Sequence, residues 1–377
     1  MSKWPGKYVI GLTGNIATGK SVVRRMLEHL GAYGIDADAL AHRVISKGGP
    51  GYMSVVSTFG RWLLDEDSQI DRQKLGKLVF SDSEALVILE EIVHPFVRQA
   101  IELLINRSSQ RTIVIEAIKL FESDLAMSCD TCWVTYAPEP VQMERLVTKR
   151  GLSQAEALKR IRMQNPQEEK RACADVIIEN GGSFEKTWNQ VYAAWSVISP
   201  IMEPSPAVVG RDMKNALEVK RGRPSDSLEI ANLVNRLGNG RDHQSHVAVM
   251  AEFGDKAFLL LKKGGDLMGL AAWQVENLVS RTTDIKVDPQ VDQPQALKTL
   301  MTEVEKSSRD LQCEASLLFL TDELSARTSI WEELGYEQRT SDSLGIQAWQ
   351  DAVKESMPEN TNLYFKQLRQ DRILRPI

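Results

Sequence analysis

Residues 14–21 read Gly14-Asn15-Ile16-Ala17-Thr18-Gly19-Lys20-Ser21, which is the G-x-x-x-x-G-K-[ST] spacing of a phosphate-binding loop. An apolar, β-prone stretch of strand length precedes the loop at 8–13. Apolar residues at helical spacing follow it from Val22 to Leu30, and Gly31 stands where a helix C-cap is expected. The motif requires this order of strand, loop and helix, so the sequence predicts a nucleotide site here.

The residue types in this loop suit phosphate chemistry. Gly14 and Gly19 allow backbone conformations and close approaches that a Cβ would block. The loop amides and the N-terminus of the following helix present N–H groups to an anion. Lys20 supplies an ammonium for the β- and γ-phosphates, and the Ser21 hydroxyl can ligate Mg²⁺. The loop therefore predicts a bound nucleotide phosphate together with Mg²⁺.

Composition sets the general class of the protein. A chain of 377 residues favours two domains, and 42% hydrophobic with 26% charged residues is typical of a soluble globular protein. A net charge of −5 argues against nucleic acid as a partner. There is no apolar run of membrane-spanning length and no signal-peptide pattern at 1–6. We expect a cytoplasmic protein without membrane attachment, and its oligomeric state is left open.

Two short patterns could suggest a metal or redox site. Cys129 and Cys132 have C-x-x-C spacing, but no second ligand pair lies nearby and a strand, rather than a helix, is predicted to follow. His243 and His246 stand in a stretch that is typical of a loop. We interpret the cysteines as structural and the histidines as loop residues.

A second strand is predicted at 32–35, ending in Asp36-Ala37-Asp38. Strand, helix and strand in this order predict a parallel pair with a right-handed crossover, which places the acids at the same end of the sheet as the phosphate-binding loop. A carboxylate there could accept a proton from an attacking hydroxyl or help to hold Mg²⁺. Alternatively, one Asp caps a helix beginning near Ala39.

Residues from about 7 to 195 resemble the dephospho-CoA kinase family. The motifs that carry this resemblance are Gly11-Leu12-Thr13-Gly14 through Ser21, Asp36-Ala37-Asp38, Leu89-Glu90 with His94-Pro95, Phe121-Glu122, Arg160-x-x-x-Gln164 and the stretch 174–180.

The resemblance implies an α/β fold, with a parallel sheet, a helical substrate subdomain from Tyr52 to Ile105 and an arginine-rich lid from Val141 to Arg171. It implies transfer of the ATP γ-phosphoryl group to the 3′-hydroxyl of dephospho-CoA, the last step of CoA synthesis. The implied catalytic residues are Asp38, Lys20 and Arg145. The implied ATP contacts are residues 14–21, Val22, Arg150 and Asn180. The implied substrate contacts are Asp36, Asp38, His94, Arg160 and Gln164.

Some features leave other interpretations open. His94 could equally be a structural hydrogen-bonding residue, and the lid arginines could form a solvated helix face. The chain has Asn15 and Ala17 where the family has glycines, and 116–120 replaces the family's acid-Pro-Leu-Leu pattern with Glu116 followed by Ala-Ile-Lys-Leu. A different small-molecule or nucleotide kinase on the same scaffold is therefore the alternative.

The second half of the chain follows a proline-punctuated linker, which we place at 201–216, between domains 1–200 and 217–377. Strands are predicted near 246–253, 257–263, 267–287 and 314–320, and helices at 294–310 and Leu324 to Leu334. This α+β order resembles a GNAT acetyltransferase, as do Arg221 to Leu237, Val287-Asp288-Pro289 and the Leu-Gly-Tyr-Glu ending at Glu337.

The GNAT resemblance fails at the turn that binds the pyrophosphate of acetyl-CoA. That family has [RQ]-x-x-G-x-[GA] there, whereas Asp292-Gln293-Pro294-Gln295-Ala296-Leu297 has no glycine, and Pro294 lacks an N–H. We predict a domain that does not acetylate by the usual route. It would stabilise the protein or mediate association, or it would sense CoA or an acyl-CoA in a bifunctional regulatory protein.

Overall fold

The computed structural model describes residues 3–202, 216–238 and 243–370. Residues 203–215, which make up most of the linker predicted at 201–216, lie outside the described residues. The chain divides into two compact units, the first built from Met1–Ile35, Ser109–Gln274 and Asp284–Val304, and the second from Asp36–Ser108, Val275–Thr283 and Glu305–Ile377. Each unit thus combines segments from before and after the predicted linker, and the division into 1–200 and 217–377 remains a prediction.

The N-terminal elements alternate between strand and helix, as an α/β fold requires. The strands are β1 Tyr8–Thr13, β2 Tyr33–Asp36, β3 Thr112–Glu116, β4 Thr131–Tyr136 and β5 Val176–Glu179. The helices are α1 Lys20–His29, α2 Ala37–Ile45, α3 Tyr52–Phe59, α4 Arg72–Ser81, α5 Ser83–Arg107, α6 Glu139–Arg150, α7 Gln154–Arg162, α8 Gln167–Ala172 and α9 Phe184–Met202.

These five strands form one sheet in the order β2-β3-β1-β4-β5. β1 runs parallel to both β3 and β4, and β4 runs parallel to β5. The predicted pairing of β1 with β2 is wrong, because β3 is inserted between them. Every residue of β3 is buried, and its Ile113-Val114-Ile115 run suits an interior strand better than an edge.

The strand order places the phosphate-binding loop at a switch point of the sheet. From β1 the chain goes to β2 on one side of β1, and it later crosses to β4 on the other side of β1. Ligands of open α/β sheets bind beyond the carboxyl end of the strand where the order reverses, and the loop follows β1 at that position. Ile10, Leu12 and Trp133 pack with Met26 and Leu27 of α1 in the core beneath it.

The C-terminal elements form a mixed sheet with helices. They are β6 Leu217–Arg221, α10 Ser227–Leu237, α11 His246–Glu252, β7 Ala257–Lys263, β8 Asp266–Glu276, β9 Val279–Val287, α12 Gln293–Asp310, β10 Ala315–Leu320, α13 Asp322–Ser325, α14 Thr328–Glu333, β11 Glu337–Gln338, α15 Gln347–Ser356 and β12 Asn362–Gln367. The strand order is β11-β12-β10-β9-β8-β7-β6, with β9 and β10 parallel and β10 and β12 antiparallel.

The predicted strand at 246–253 is wrong, because this stretch forms the helix α11. Ser245 caps the helix by accepting a hydrogen bond from the amide of Ala248 at 3.2 Å. Val249 and Phe253, four residues apart, are both buried in one hydrophobic cluster. The apolar residues therefore follow the helical period, which the alternation of valine and alanine concealed.

Two further predicted elements of this half are interrupted. The single strand predicted at 267–287 is a hairpin, since Asn277 and Leu278 take left-handed conformations with φ of 52° and 62° between β8 and β9. The helix predicted from Leu324 to Leu334 is two short helices, α13 and α14, separated at 326–327. Over the described residues, no helix has the length and apolar character needed to cross a bilayer.

Candidate active site

The phosphate-binding loop depends on its two glycines for steric reasons. Gly14 has φ of 152°, and a Cβ there would lie 2.3 Å from Thr135 Oγ1. Gly19 has φ of 92°, and a Cβ there would lie 1.8 Å from Asn180 Nδ2. Ala17 also takes a left-handed conformation, with φ of 58°, at a position where the family has glycine.

Polar side chains from the lid and from the end of β5 hold the loop from outside. Arg145 donates to the carbonyl oxygens of Ala17 at 3.0 Å and Asn180 at 2.7 Å. Asn180 Nδ2 donates to the Thr18 carbonyl at 2.8 Å. The amide of Ile16 donates to Gln164 Oε1 at 2.6 Å. Three residues that the sequence singled out, Arg145, Gln164 and Asn180, are therefore brought to the loop.

Asn15 secures another part of the same loop. Its Nδ2 donates to the carbonyl of Asn165 at 2.8 Å, and its backbone carbonyl accepts from the Thr18 hydroxyl at 2.8 Å. The side chain of Asn15 thus ties the loop to the segment between α7 and α8. A glycine could not make this contact.

The first residues of α1 meet an acid that the sequence analysis did not assign to the site. Ser21 Oγ donates to Glu116 Oε1 at 2.8 Å, and Arg24 Nε donates to Glu116 Oε2 at 2.8 Å. Lys20 is buried beside them and donates to the carbonyl of Gly14 at 3.1 Å. Glu116 is the last residue of the buried strand β3, which adjoins β1.

Charge keeps Glu116 ionised despite its burial. Burial raises the pKa of this carboxyl, but the positive charges of Arg24 and Lys20 and the hydrogen bonds from Arg24 and Ser21 outweigh it, so its pKa lies below its ordinary value. An ionised carboxylate and a hydroxyl are the oxygen ligands that Mg²⁺ prefers. Among the described residues there is no cluster of three or more His, Cys, Asp or Glu side chains placed to hold a metal ion. Ser21 and Glu116 would therefore supply two oxygen ligands to an ion bound together with phosphate.

The segment after β3 is held by a lysine that the sequence analysis also missed. The carbonyl of Ile118 accepts from Thr13 Oγ1 at 3.1 Å and from Lys170 Nζ at 2.5 Å. Lys170 is buried in α8 and lies 3.5 Å from Glu122. These contacts fix the backbone where the family's proline is replaced by Ile118. The signal in the sequence was the single lysine near the end of the predicted lid.

The remaining predicted site residues fall into two groups. Arg150 and Arg160 are exposed on α6 and α7, and their roles remain predictions. Asp36, Asp38 and His94 belong to the second unit.

In the second unit, Asp36 caps α2 by accepting from the Ala39 amide at 2.8 Å, and Asp38 lies in the first turn of that helix. The capping interpretation of Asp36 is therefore confirmed. His94 is exposed on α5, directly before Pro95 within the helix.

The cysteine pair does not have the properties of a redox site. Burial, with the neighbouring thiol and Asp130, raises the pKa of Cys129 to about 12, and burial with Asp175 raises the pKa of Cys132 to about 11. Both thiols are free and stay protonated at neutral pH, so neither is an activated nucleophile.

A parallel sheet, a phosphate-binding loop at its switch point and a lid that contacts the loop define a P-loop phosphotransferase. The family model for dephospho-CoA kinase matches residues 8–186. The dephospho-CoA kinase of Carboxydothermus hydrogenoformans is 47% identical over 186 residues, which are 48% of this chain and 90% of that protein. The dephospho-CoA kinase of Aquifex aeolicus is 46% identical over 183 residues, which are 48% of this chain and 93% of that protein. The chain belongs to the dephospho-CoA kinase family and is a kinase that uses ATP.

Solved structures resemble the two halves separately. A dephospho-CoA kinase from Campylobacter jejuni is 29% identical, with a TM-score of 0.39, over 52% of this chain and 98% of that one. A GNAT-family acetyltransferase from Staphylococcus aureus is 13% identical, with a TM-score of 0.32, over 41% of this chain and 100% of that one. Similarity at this level assigns neither a reaction nor a ligand to the C-terminal half.

Proposed function

We propose that this chain transfers the γ-phosphoryl group of ATP to the 3′-hydroxyl of dephospho-CoA, giving CoA in the last step of its synthesis. The observation that carries the proposal is the arrangement of Lys20, Ser21 and Glu116 beside the phosphate-binding loop, in a chain that belongs to this family. Phosphoryl transfer depends on positioning and charge neutralisation, and this arrangement supplies both.

On the donor side, the loop amides and Lys20 would bind the β- and γ-phosphates. Ser21 and Glu116 would hold Mg²⁺, which neutralises phosphate charge when it is bound. Arg145 lies against the loop through Ala17, and partial burial lowers the pKa of its guanidinium only from a very high ordinary value, so it stays charged. From this position Arg145 would stabilise the charge that develops on the transferred group.

On the acceptor side, Asp38 would orient the 3′-hydroxyl and accept its proton. Asp36 would contribute by capping α2 and so fixing the first turn that carries Asp38. We propose His94, Arg160 and Gln164 as substrate contacts. Gln164 Oε1 also accepts a hydrogen bond from the Ile16 amide.

The alternative acceptor is another small molecule or a nucleotide. The observation that favours it is the altered segment after β3, where Ile118 and Lys119 replace the expected residues. The backbone of this segment is nevertheless held by Lys170 and Thr13, which supports an ordered substrate site of the family's kind.

For the C-terminal half, we propose a role without acetyl transfer. The helix α12 begins at Gln293, and the Asp292 carboxylate accepts from the Gln295 amide at 2.8 Å. An acidic cap therefore occupies an N–H group that a pyrophosphate would otherwise bind, and its charge repels an anion. We also propose a cytoplasmic location, which the free thiols of all four cysteines support.

The test is ATP-dependent turnover by the full chain with dephospho-CoA, adenosine and AMP as acceptors, followed by mass spectrometry of the products. We expect phosphorylation of dephospho-CoA alone. Lys20→Ala and Asp38→Asn should each lower kcat by at least about 100-fold with the fold intact. Lys149→Ala, at an exposed lysine of α6, is the matched control and should keep full activity. Absence of dephospho-CoA turnover by the unmodified chain would refute the proposal.

A further inference from the structure

The helix α2 carries the residue on which the proposed acceptor chemistry depends. It begins directly after Asp36, and Asp38 lies in its first turn. Because a helix moves as a rigid element, any shift or rotation of α2 displaces the Asp38 carboxylate. What holds the other end of α2 therefore matters for phosphoryl transfer, and this inference rests on the proposed function.

Arg43, in the last turn of α2, is held by residues from the C-terminal half of the chain. Its Nη2 lies 2.7 Å from Glu314 Oε2, and the two side chains are only 6% and 1% exposed. Its Nη1 donates to the carbonyl oxygen of Asn277 at 2.9 Å. All three residues belong to the second compact unit. Two partners on separate guanidinium nitrogens restrain the plane of the guanidinium as well as its position.

The residues that receive Arg43 are themselves tied together. Asn277 and Leu278 form the turn of the β8–β9 hairpin, and both take left-handed conformations, which a leucine adopts only under strain. The carbonyl of Leu278 accepts from the Glu314 amide at 2.7 Å, and the carbonyl of Glu314 accepts from the Leu368 amide at 2.9 Å. Strained conformations of this kind persist only where the surroundings determine them, and here the surroundings include Arg43.

A gain in stability does not by itself explain this ion pair. Removing two charges from water offsets most of their attraction, so a buried ion pair is often no more stabilising than apolar side chains of the same size. A buried pair with shared hydrogen bonds can instead hold neighbouring elements in one arrangement. We propose that Arg43 is a positioning residue for phosphoryl transfer, and that the C-terminal half serves the kinase by fixing α2 through Glu314 and Asn277.

The experiment uses the full chain with Glu314→Gln, which keeps the shape and a hydrogen-bonding oxygen but removes the charge. We expect kcat per folded molecule for dephospho-CoA to fall by about 10-fold, while KM for ATP stays within about twofold, because the phosphate-binding loop has its own contacts. Arg43→Lys, which keeps the charge but reaches only one partner, should lose less kcat than Glu314→Gln. Glu337→Gln removes an exposed ion pair with Arg339 of the same half and should change neither constant.

A second measurement does not depend on turnover. Amide hydrogen exchange over 37–45 should be at least about 10-fold faster in Glu314→Gln than in Glu337→Gln, because α2 has lost its C-terminal anchor. If the unmodified chain does not phosphorylate dephospho-CoA, the proposed function fails, and the exchange data alone decide whether Glu314 holds α2. The inference is overturned if kcat per folded molecule of Glu314→Gln equals that of the unmodified chain. If Glu314→Gln does not fold, an unchanged kcat per folded molecule in Arg43→Lys overturns it instead. Unchanged exchange would also overturn it.

Discussion

His29 makes the stability of the first unit sensitive to pH. It lies in the last turn of α1, with Nε2 2.8 Å from the carbonyl oxygen of Phe253 and its ring edge-on to the Phe253 ring, the centroids 5.4 Å apart. Its Nδ1 is buried without a hydrogen-bond partner. Burial, with the positive charges of Arg221 and Arg25, lowers the pKa of His29 to about 3, although the Phe253 carbonyl acts in the opposite direction.

The sign and size of the effect follow from this lowered pKa. In the unfolded chain the imidazole has its ordinary pKa of about 6.5, so the unfolded state binds the proton first as the pH falls. The contribution of His29 is fully present above that value, and it is lost by about 1.4 kcal/mol per pH unit between there and the folded-state pKa. Acidification from pH 7 to pH 5 should therefore reduce the free energy of unfolding by about 2 kcal/mol through this residue alone.

Guanidinium denaturation at pH 7, 6 and 5, followed by tryptophan fluorescence, measures the effect. His29→Gln retains a donor for the Phe253 carbonyl but cannot be protonated, so its own cost should not depend on pH. The difference in unfolding free energy between the unmodified chain and this variant should change by about 2 kcal/mol from pH 7 to pH 5. The control variant His246→Gln, at an exposed histidine, should show the same pH dependence of the unfolding free energy as the unmodified chain. A difference for His29→Gln that stays constant across this range would refute the reasoning.

Two further predictions concern the candidate site. Glu116→Gln removes one of the two carboxylates that pair with the buried Arg24 and leaves Glu28, 2.5 Å from it, as the other, so thermal melts should report a loss of about 2 kcal/mol, and titration should show that more Mg²⁺ is needed for half-maximal turnover. An unchanged Mg²⁺ requirement would count against a metal role for Glu116. Gly19→Ala places a Cβ 1.8 Å from Asn180 Nδ2 and should weaken ATP binding by at least about 10-fold in calorimetry. Gly31→Ala, at φ of 108° with no atom within 4 Å of the added Cβ, imposes similar backbone strain away from the loop and should bind ATP normally.

The sequence was sufficient to predict the phosphate-binding loop and its flanking elements, because local chemistry determines them. The loop needs glycine where a Cβ would meet Thr135 or Asn180, and those glycines stand at a fixed spacing from Lys20. The family resemblance then brought Arg145, Gln164 and Asn180 into the predicted site, and all three contact the loop.

The role of Glu116 could not be obtained in the same way. Its contact with Ser21 joins residues 95 positions apart and exists only because β3, rather than β2, lies beside β1. The apolar run of β3 was the available signal, since a strand of that composition belongs in the interior of a sheet. The carboxyl-end rule that drew attention to Asp36 and Asp38 applies equally to the acid at the end of β3.

The errors in the C-terminal half come from period and turn chemistry. The stretch 246–253 was predicted as a strand although Ser245 is a helix cap, and Val249 and Phe253 share one buried face. The turn at Asn277 and Leu278 was not predicted because leucine at a left-handed position is rare in hairpins, where glycine usually follows the asparagine. Contacts with distant residues determined that conformation, and they are invisible in a short window of sequence.

The separation of Arg43 from Glu314 along the chain has a consequence for biosynthesis. The two partners are 271 residues apart. At ribosomal rates of about 5 to 20 residues per second, roughly 15 to 55 s pass between the synthesis of Arg43 and that of Glu314. During that interval Arg43 has been synthesised but Glu314, its partner in the ion pair, has not. The segment that contains α2 therefore cannot form this contact until residue 314 has been added. Ribosomal pausing or premature termination before position 314 would therefore leave a kinase segment that is fully translated yet unable to complete this anchor.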